Sequence, residues 1–174
     1  HTNDLHSYFR GYVDGRGGYA RIATLIRQLR EAAKAKGIES LVLDGGDYSE
    51  GTSYYLSDNG VDSTRALGLI GIEAAVLGNH DLLLGTKILA KELKEASAKS
   101  AASGVAFPKF LSANLVSDPD ASVADLVAPT ADFTVGDLKV RVIGLSTPEP
   151  TFQYSLLPGF IVPAGPVAQK LETE

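Results

Sequence analysis

Three short, mostly apolar runs at residues 40–43, 73–77 and 110–114 are separated by stretches of helical periodicity, and each gives way to polar residues at its end. That alternation constrains the fold more than any other feature of the chain. Runs so short and so apolar read as strands buried within a sheet. Between and before them, Tyr19, Ile22, Leu25, Ile26, Leu29 and Ala33 recur at helical spacing, with Gly37 as a C-terminal stop. Residues 62–70 read as a second helix, and residues 85–100, rich in Lys, Glu and Ala, as a third.

Beyond residue 114 the texture changes. Residues 133–135 and 138–145, joined by Gly136-Asp137, read as a hairpin, and residues 118–129 as a surface loop. Strand–helix–strand–helix order followed by a hairpin predicts a layered α/β fold, a mixed sheet flanked by helices. From Thr147 onward Pro148, Pro150, Pro158, Pro163 and Pro166 are expected to interrupt any regular element. Residues 1–150 therefore read as the domain and 151–174 as a Pro-rich arm or linker.

The remaining constraints are exclusions. A length of 174 residues suits one globular domain, and a charged fraction of 21% with 44% hydrophobic residues is ordinary for one. The net charge of −5, without a block of Lys and Arg, argues against a nucleic-acid polymer as partner. No apolar run is long enough to span a bilayer. Cysteine is absent, which removes disulfides and thiolate ligands from consideration.

Chemistry gathers where the strands end. HTNDLHS places Asp4 and His6 two residues apart, so that in an extended segment both side chains face one metal ion. In LVLDGGDYSEGT, Asp47 follows an apolar run and a Gly-Gly pair that lets the backbone turn sharply. In AAVLGNHD, Asn79, His80 and Asp81 again follow an apolar run, and FLSANLV brings Asn114 to the end of the next. Carboxyl ends of strands line the binding crevice of open α/β sheets, so these clusters should converge. Carboxylate, imidazole and amide oxygen suit divalent ions such as manganese, magnesium or zinc. Two such ions about 4 Å apart can clamp an in-line displacement at phosphorus, and Asp47 is the natural bridge between them.

Plainer readings exist for each residue. Asp47 can be a turn residue, Asn79 and His80 can cap the helix that follows, and Asn114 divides evenly between a strand-end turn and a site contact. Asp81 reads as a helix-start carboxylate that supports the ligands without touching metal, and Asp44 as a support for the turn. Tyr48 and Glu50 lie near the site without an assigned role. Arg10, Arg16 and Arg21 read as surface residues.

Taken in order, HTNDLHS, GGYARIATLIRQLR, LVLDGGDYSEGT, AAVLGNHD, FPKFLSANL and VIGLSTPE resemble the N-terminal domain of the 5′-nucleotidase family, a branch of the calcineurin-like metallophosphoesterases. The resemblance covers residues 1–150. It implies two divalent metal ions (manganese, zinc, magnesium or calcium), with Asp4 and His6 on the first, Asp47 bridging and Asn79 on the second. It implies that His80 is catalytic rather than a ligand, stabilising charge at the phosphoryl group or protonating the leaving oxygen. The implied substrate is a small phosphoester, foremost a nucleotide phosphomonoester, and the implied location is periplasmic or extracellular. Cyclic-nucleotide phosphodiesters, sulfate-ester or thioester hydrolysis on the same metals, and a non-catalytic fragment that keeps the scaffold are the alternatives.

Two departures from the family pattern stand out. The family usually reads Gly-Asn-His-Glu-Phe-Asp, whose final Asp orients the histidine; here that position is Leu83, and Asp81 takes the Glu position. The later histidines of the family, of a Gly-His-x-His type, have no counterpart, since the chain holds only His1, His6 and His80. The chain is therefore expected to be one segment of a longer protein whose remainder completes the site, and to turn over little by itself.

Overall fold

The computed structural model describes residues 1–118, 123–153 and 156–173. In chain order its elements are α1 (Tyr19–Lys34), β1 (Leu43–Asp44), α2 (Ser53–Asp58), α3 (Val61–Ile70), β2 (Ala74–Val76), a 3₁₀ turn (His80–Leu82), α4 (Gly85–Ser103), β3 (Lys109–Leu111) and β4 (Leu115–Val116). They are followed by β5 (Val127–Ala128), β6 (Thr130–Val135), β7 (Leu138–Ile143), α5 (Pro150–Gln153), β8 (Phe160–Ile161) and α6 (Ala164–Glu172).

The central sheet runs β1-β2-β3-β5, and every pairing in it is parallel. At the free side of β1, Thr2 forms a parallel bridge with Asp44, which carries the N-terminal segment to the same sheet edge. Adjacent strand residues point to opposite faces, and the core divides accordingly. Ala75 and Phe110 pack on the helical side with Leu67, Ile70, Leu89 and Leu93 of α3 and α4. Ala74 and Leu111 pack on the other side with Ala131, Phe133 and Val142 of the β6–β7 hairpin. Leu67 and Leu93 are fully buried, and burial on this scale is worth about 1.5–3 kcal/mol per side chain. The layered α/β architecture expected from the sequence is present, with antiparallel pairs β6–β7 and β4–β8 beside the parallel sheet. Across the hairpin Arg141 grips Asp132 through two bonds of 2.8 and 3.0 Å, which pins its register.

Three expectations need correction. The extended segment holding Asp4 and His6 is instead a left-handed turn, described with the site below. The stretch at 118–129 is not loop throughout: β5 forms there because Val127 pairs beside Phe110 and buries its side chain, while residues 119–122 lie outside the described residues. The prolines after Thr147 do not prevent regular structure. Pro150 opens α5, and Pro163 and Pro166 sit at the N-cap and third residue of α6, where the missing N–H has no intrahelical partner to lose. The strand β8 pairs with β4, and the Asn114 side chain donates to the Val162 carbonyl, so this segment is docked through Val162. Among the described residues no helix is long and apolar enough to cross a membrane.

Candidate metal centre

Three loops meet at the C-terminal edge of β1 and β2. The N-terminal segment lies along the loop after β1: Asp4 N–H donates to Gly46 O at 2.9 Å, His6 N–H to Asp47 O at 3.0 Å and Ser7 N–H to Tyr48 O at 3.0 Å. Following that loop forces the segment out of the extended form. Asp4, His6 and Ser7 have φ of 53°, 44° and 56°, so side-chain alternation along a strand does not bring the first two together. The turn does so instead, leaving Asp4 Oδ1 3.8 Å from His6 Nε2. The Asn3 amide also donates to Asp4.

Asp47 and Glu50 are left-handed as well, with φ of 56° and 59°. Five of the six non-glycine residues of positive φ among the described residues thus belong to these two loops. Such conformations cost of order 1–3 kcal/mol each and persist where the surroundings over-determine them. Close packing supplies the determination. A Cβ on Gly78 would stand 2.0 Å from Asp47 Oδ1 and 2.4 Å from Asp47 N, so only glycine lets the β2 loop approach the carboxylate. Gly46, in the expected Gly-Gly turn, has φ of 96°, a region that favours glycine.

Asp81 ties the loops together. Its carboxylate accepts from the N–H groups of Asp47 (2.9 Å), Ser49 (3.0 Å) and Gly78 (2.9 Å) and from the Ser49 hydroxyl (2.9 Å). Burial pushes this carboxyl up to about 7, against the pull of those donors. The supporting role read from the sequence is the one the geometry gives it. Asp44 likewise holds its turn, accepting from Thr2 Oγ1 at 2.6 Å and Gly46 N–H at 2.9 Å, with burial raising it to about 6.

One atom each from His6, Asp47 and His80 can be chosen so that all three lie within 4.8 Å of one another. The His6 and His80 rings meet edge-on at 4.8 Å between centroids, and His80 N–H donates to Asp47 Oδ1 at 2.9 Å. His6 Nδ1 is buried with no hydrogen-bond partner, an omission costing about 1–3 kcal/mol in a closed protein. The His6 imidazole, with its orphaned ring nitrogen, and the Asp47 carboxylate fit a divalent cation, and the His80 ring stands against them. Asp4 adjoins this group through His6. The Asn79 side chain makes no capping hydrogen bond at the 3₁₀ turn, so capping does not claim its amide oxygen.

Asn114 belongs elsewhere. Fully buried, it donates to Ser146 O and Val162 O and accepts from Ser146 N–H, which makes it the fastening of the C-terminal segment. Sequence reasoning gave no role to Glu50, yet Glu50 Oε2 lies 2.9 Å from His80 Nδ1. A contact across 30 positions leaves no local pattern to read. Phe152 of α5 also approaches, with its ring centroid 6.2 Å from that of His80.

The family model described as calcineurin-like phosphoesterase matches residues 1–159. The chain belongs to the calcineurin-like phosphoesterases. Among relatives, the chain is 33% identical over 147 residues to Protein UshA of Salmonella pullorum, covering 84% of this chain and 24% of that protein. It is 32% identical over 165 residues to 5′-nucleotidase of Bos taurus, covering 87% and 26%. The structure of Haemophilus influenzae NAD nucleotidase superposes with a TM-score of 0.79 at 26% identity, covering 98% of this chain and 30% of that one. The chain thus spans about a quarter of the length of these relatives.

Proposed function

We propose that this chain is the N-terminal part of a two-metal catalytic domain of the 5′-nucleotidase type, hydrolysing nucleotide phosphomonoesters. The observation that carries the reading is the convergence of His6, Asp47 and His80 from three separate loops to within 4.8 Å. Asp4, His6, Asp47 and Asn79 are the residues of this chain that would hold the ions, with Asp47 as the ligand common to both. When bound, two divalent ions (manganese, zinc, magnesium or calcium) neutralise developing phosphoryl charge and lower the pKa of coordinated water.

His80 is the catalytic group of this chain. Its backbone N–H donates to Asp47 and its ring stands beside His6, which supports reading this imidazole as the group that would protonate a leaving oxygen or face the phosphoryl charge. Four protein ligands are few for two ions, since each ordinarily takes four or more. The rest of a longer parent protein is therefore assigned the missing ligands and the grip on the nucleoside. The family resemblance supports a periplasmic or extracellular location.

The test is phosphate release from a nucleoside monophosphate by the parent protein with added divalent metal. Asp47→Asn should remove nearly all of it. Full activity in chelator-treated, metal-free buffer would sink the proposal.

A further inference from the structure

We propose that Glu50 is the positioning residue that fixes the tautomer and orientation of the His80 ring. The inference rests on the reading of His80 as the proton-handling group. His80 Nδ1 and Glu50 Oε2 are 2.9 Å apart, and both side chains are about one-third exposed, at 33% and 35%. No other carboxylate on the flanking turn is available for this task. The oxygens of neighbouring Asp81 are committed to Asp47, Ser49 and Gly78, and position 83, three residues on, is a leucine without an acceptor.

Glu50 is held for the purpose. It has φ of 59° and is followed by Gly51 with φ of 102°, a pair of left-handed residues that folds the loop back toward the site. A Cβ on Gly51 would stand 2.8 Å from His6 Cβ, so this loop is wedged against one histidine while its glutamate engages the other. Left-handed residues of this kind persist where the surroundings over-determine them.

The chemistry follows from what a carboxylate can do. It only accepts hydrogen bonds, so Nδ1 must carry the proton, and Nε2 becomes the ring nitrogen offered to a substrate. Glu50 itself touches neither substrate nor metal in this scheme.

Ring-nitrogen NMR of the chelator-treated chain, at a pH where the imidazoles are neutral, tests this without any substrate. Wild type should show a pyrrole-like Nδ1 and a pyridine-like Nε2 for His80. Glu50→Gln keeps the size but removes the compulsory acceptor, and the two signals should move toward exchanging places, since unconstrained imidazole favours the proton on Nε2. Adding Leu83→Asp to Glu50→Gln should restore the original pattern, because residues i and i+3 eclipse in a 3₁₀ turn. A wild-type ring protonated mainly on Nε2, or a folded Glu50→Gln chain with the wild-type pattern, would overturn the proposal. Phosphohydrolase activity enters none of these readings, so failure here and failure of the proposed function are separate results.

Discussion

Asp81 grips Ser49 twice, accepting from its backbone N–H at 3.0 Å and from its hydroxyl at 2.9 Å with a single carboxylate oxygen, Oδ1. The other oxygen, Oδ2, spans Asp47 N–H and Gly78 N–H. One side chain thereby fastens the loop after β1 to the loop after β2.

Replacing Asp81 with alanine should loosen both loops. Each orphaned buried donor costs about 1–3 kcal/mol, and a chain of this size loses about 2–4 °C in Tm per kcal/mol. Asp81→Ala is expected to melt at least several degrees lower, whereas Glu31→Ala, at an exposed position of α1, should melt with wild type. Equal melting curves for the two variants would remove Asp81 from this role.

Gly78→Ala probes the approach of backbone to ligand. The added Cβ would collide with Asp47 Oδ1 and N at 2.0 and 2.4 Å, so either the carboxylate or the loop must move. Affinity for manganese, measured by calorimetry, should fall at least tenfold. Wild-type affinity would show that Asp47 holds no ion.

Metal should stabilise the folded chain if His6 and Asp47 bind it. An ion at about 100 times its Kd adds about 2.7 kcal/mol to stability. Thermal melts with increasing manganese should therefore shift upward, return with chelator, and respond weakly in His6→Ala. A melting temperature indifferent to metal up to saturating concentrations would contradict the assignment.

Glu92, which is not among the candidate ligands, sets a pH dependence of its own. Buried in α4 with Thr64 Oγ1 donating to it, it is pushed up to about 8, foremost by burial, from an ordinary 4.5. The folded chain then keeps a proton that the unfolded chain releases as pH rises from 4.5 to about 8. Stability from this group should fall through that window and level off above it. Glu92→Gln should melt close to wild type near pH 4.5 and higher than wild type above pH 8; a wild-type advantage at pH 8 would refute the sign.

What the sequence made legible was what has a period or a composition. The parallel strands announced themselves as short apolar runs, and Asp47, Asn79 and His80 as the polar residues that end them. The left-handed turn at Asp4 and His6 carried no such mark, because it is imposed by hydrogen bonds to Gly46, Asp47 and Tyr48, some forty residues away. β5 was hidden for a like reason: two residues become a strand only because β3 offers an edge. The prolines of α6 misled by number, since their effect depends on position within the first turn. Glu50 escaped because its partner comes from another loop and the familiar place for a carboxylate, position 83, holds leucine.

The left-handed residues around the centre also bear on how this chain can change over time. Asp4, His6, Ser7, Asp47 and Glu50 occupy backbone positions where glycine rests without steric penalty. Drift toward glycine at Glu50 would relieve backbone strain while discarding the acceptor that faces His80. Robustness and chemistry pull in opposite directions on the same few residues. Selection for a sturdier chain, acting alone, would erode the centre first.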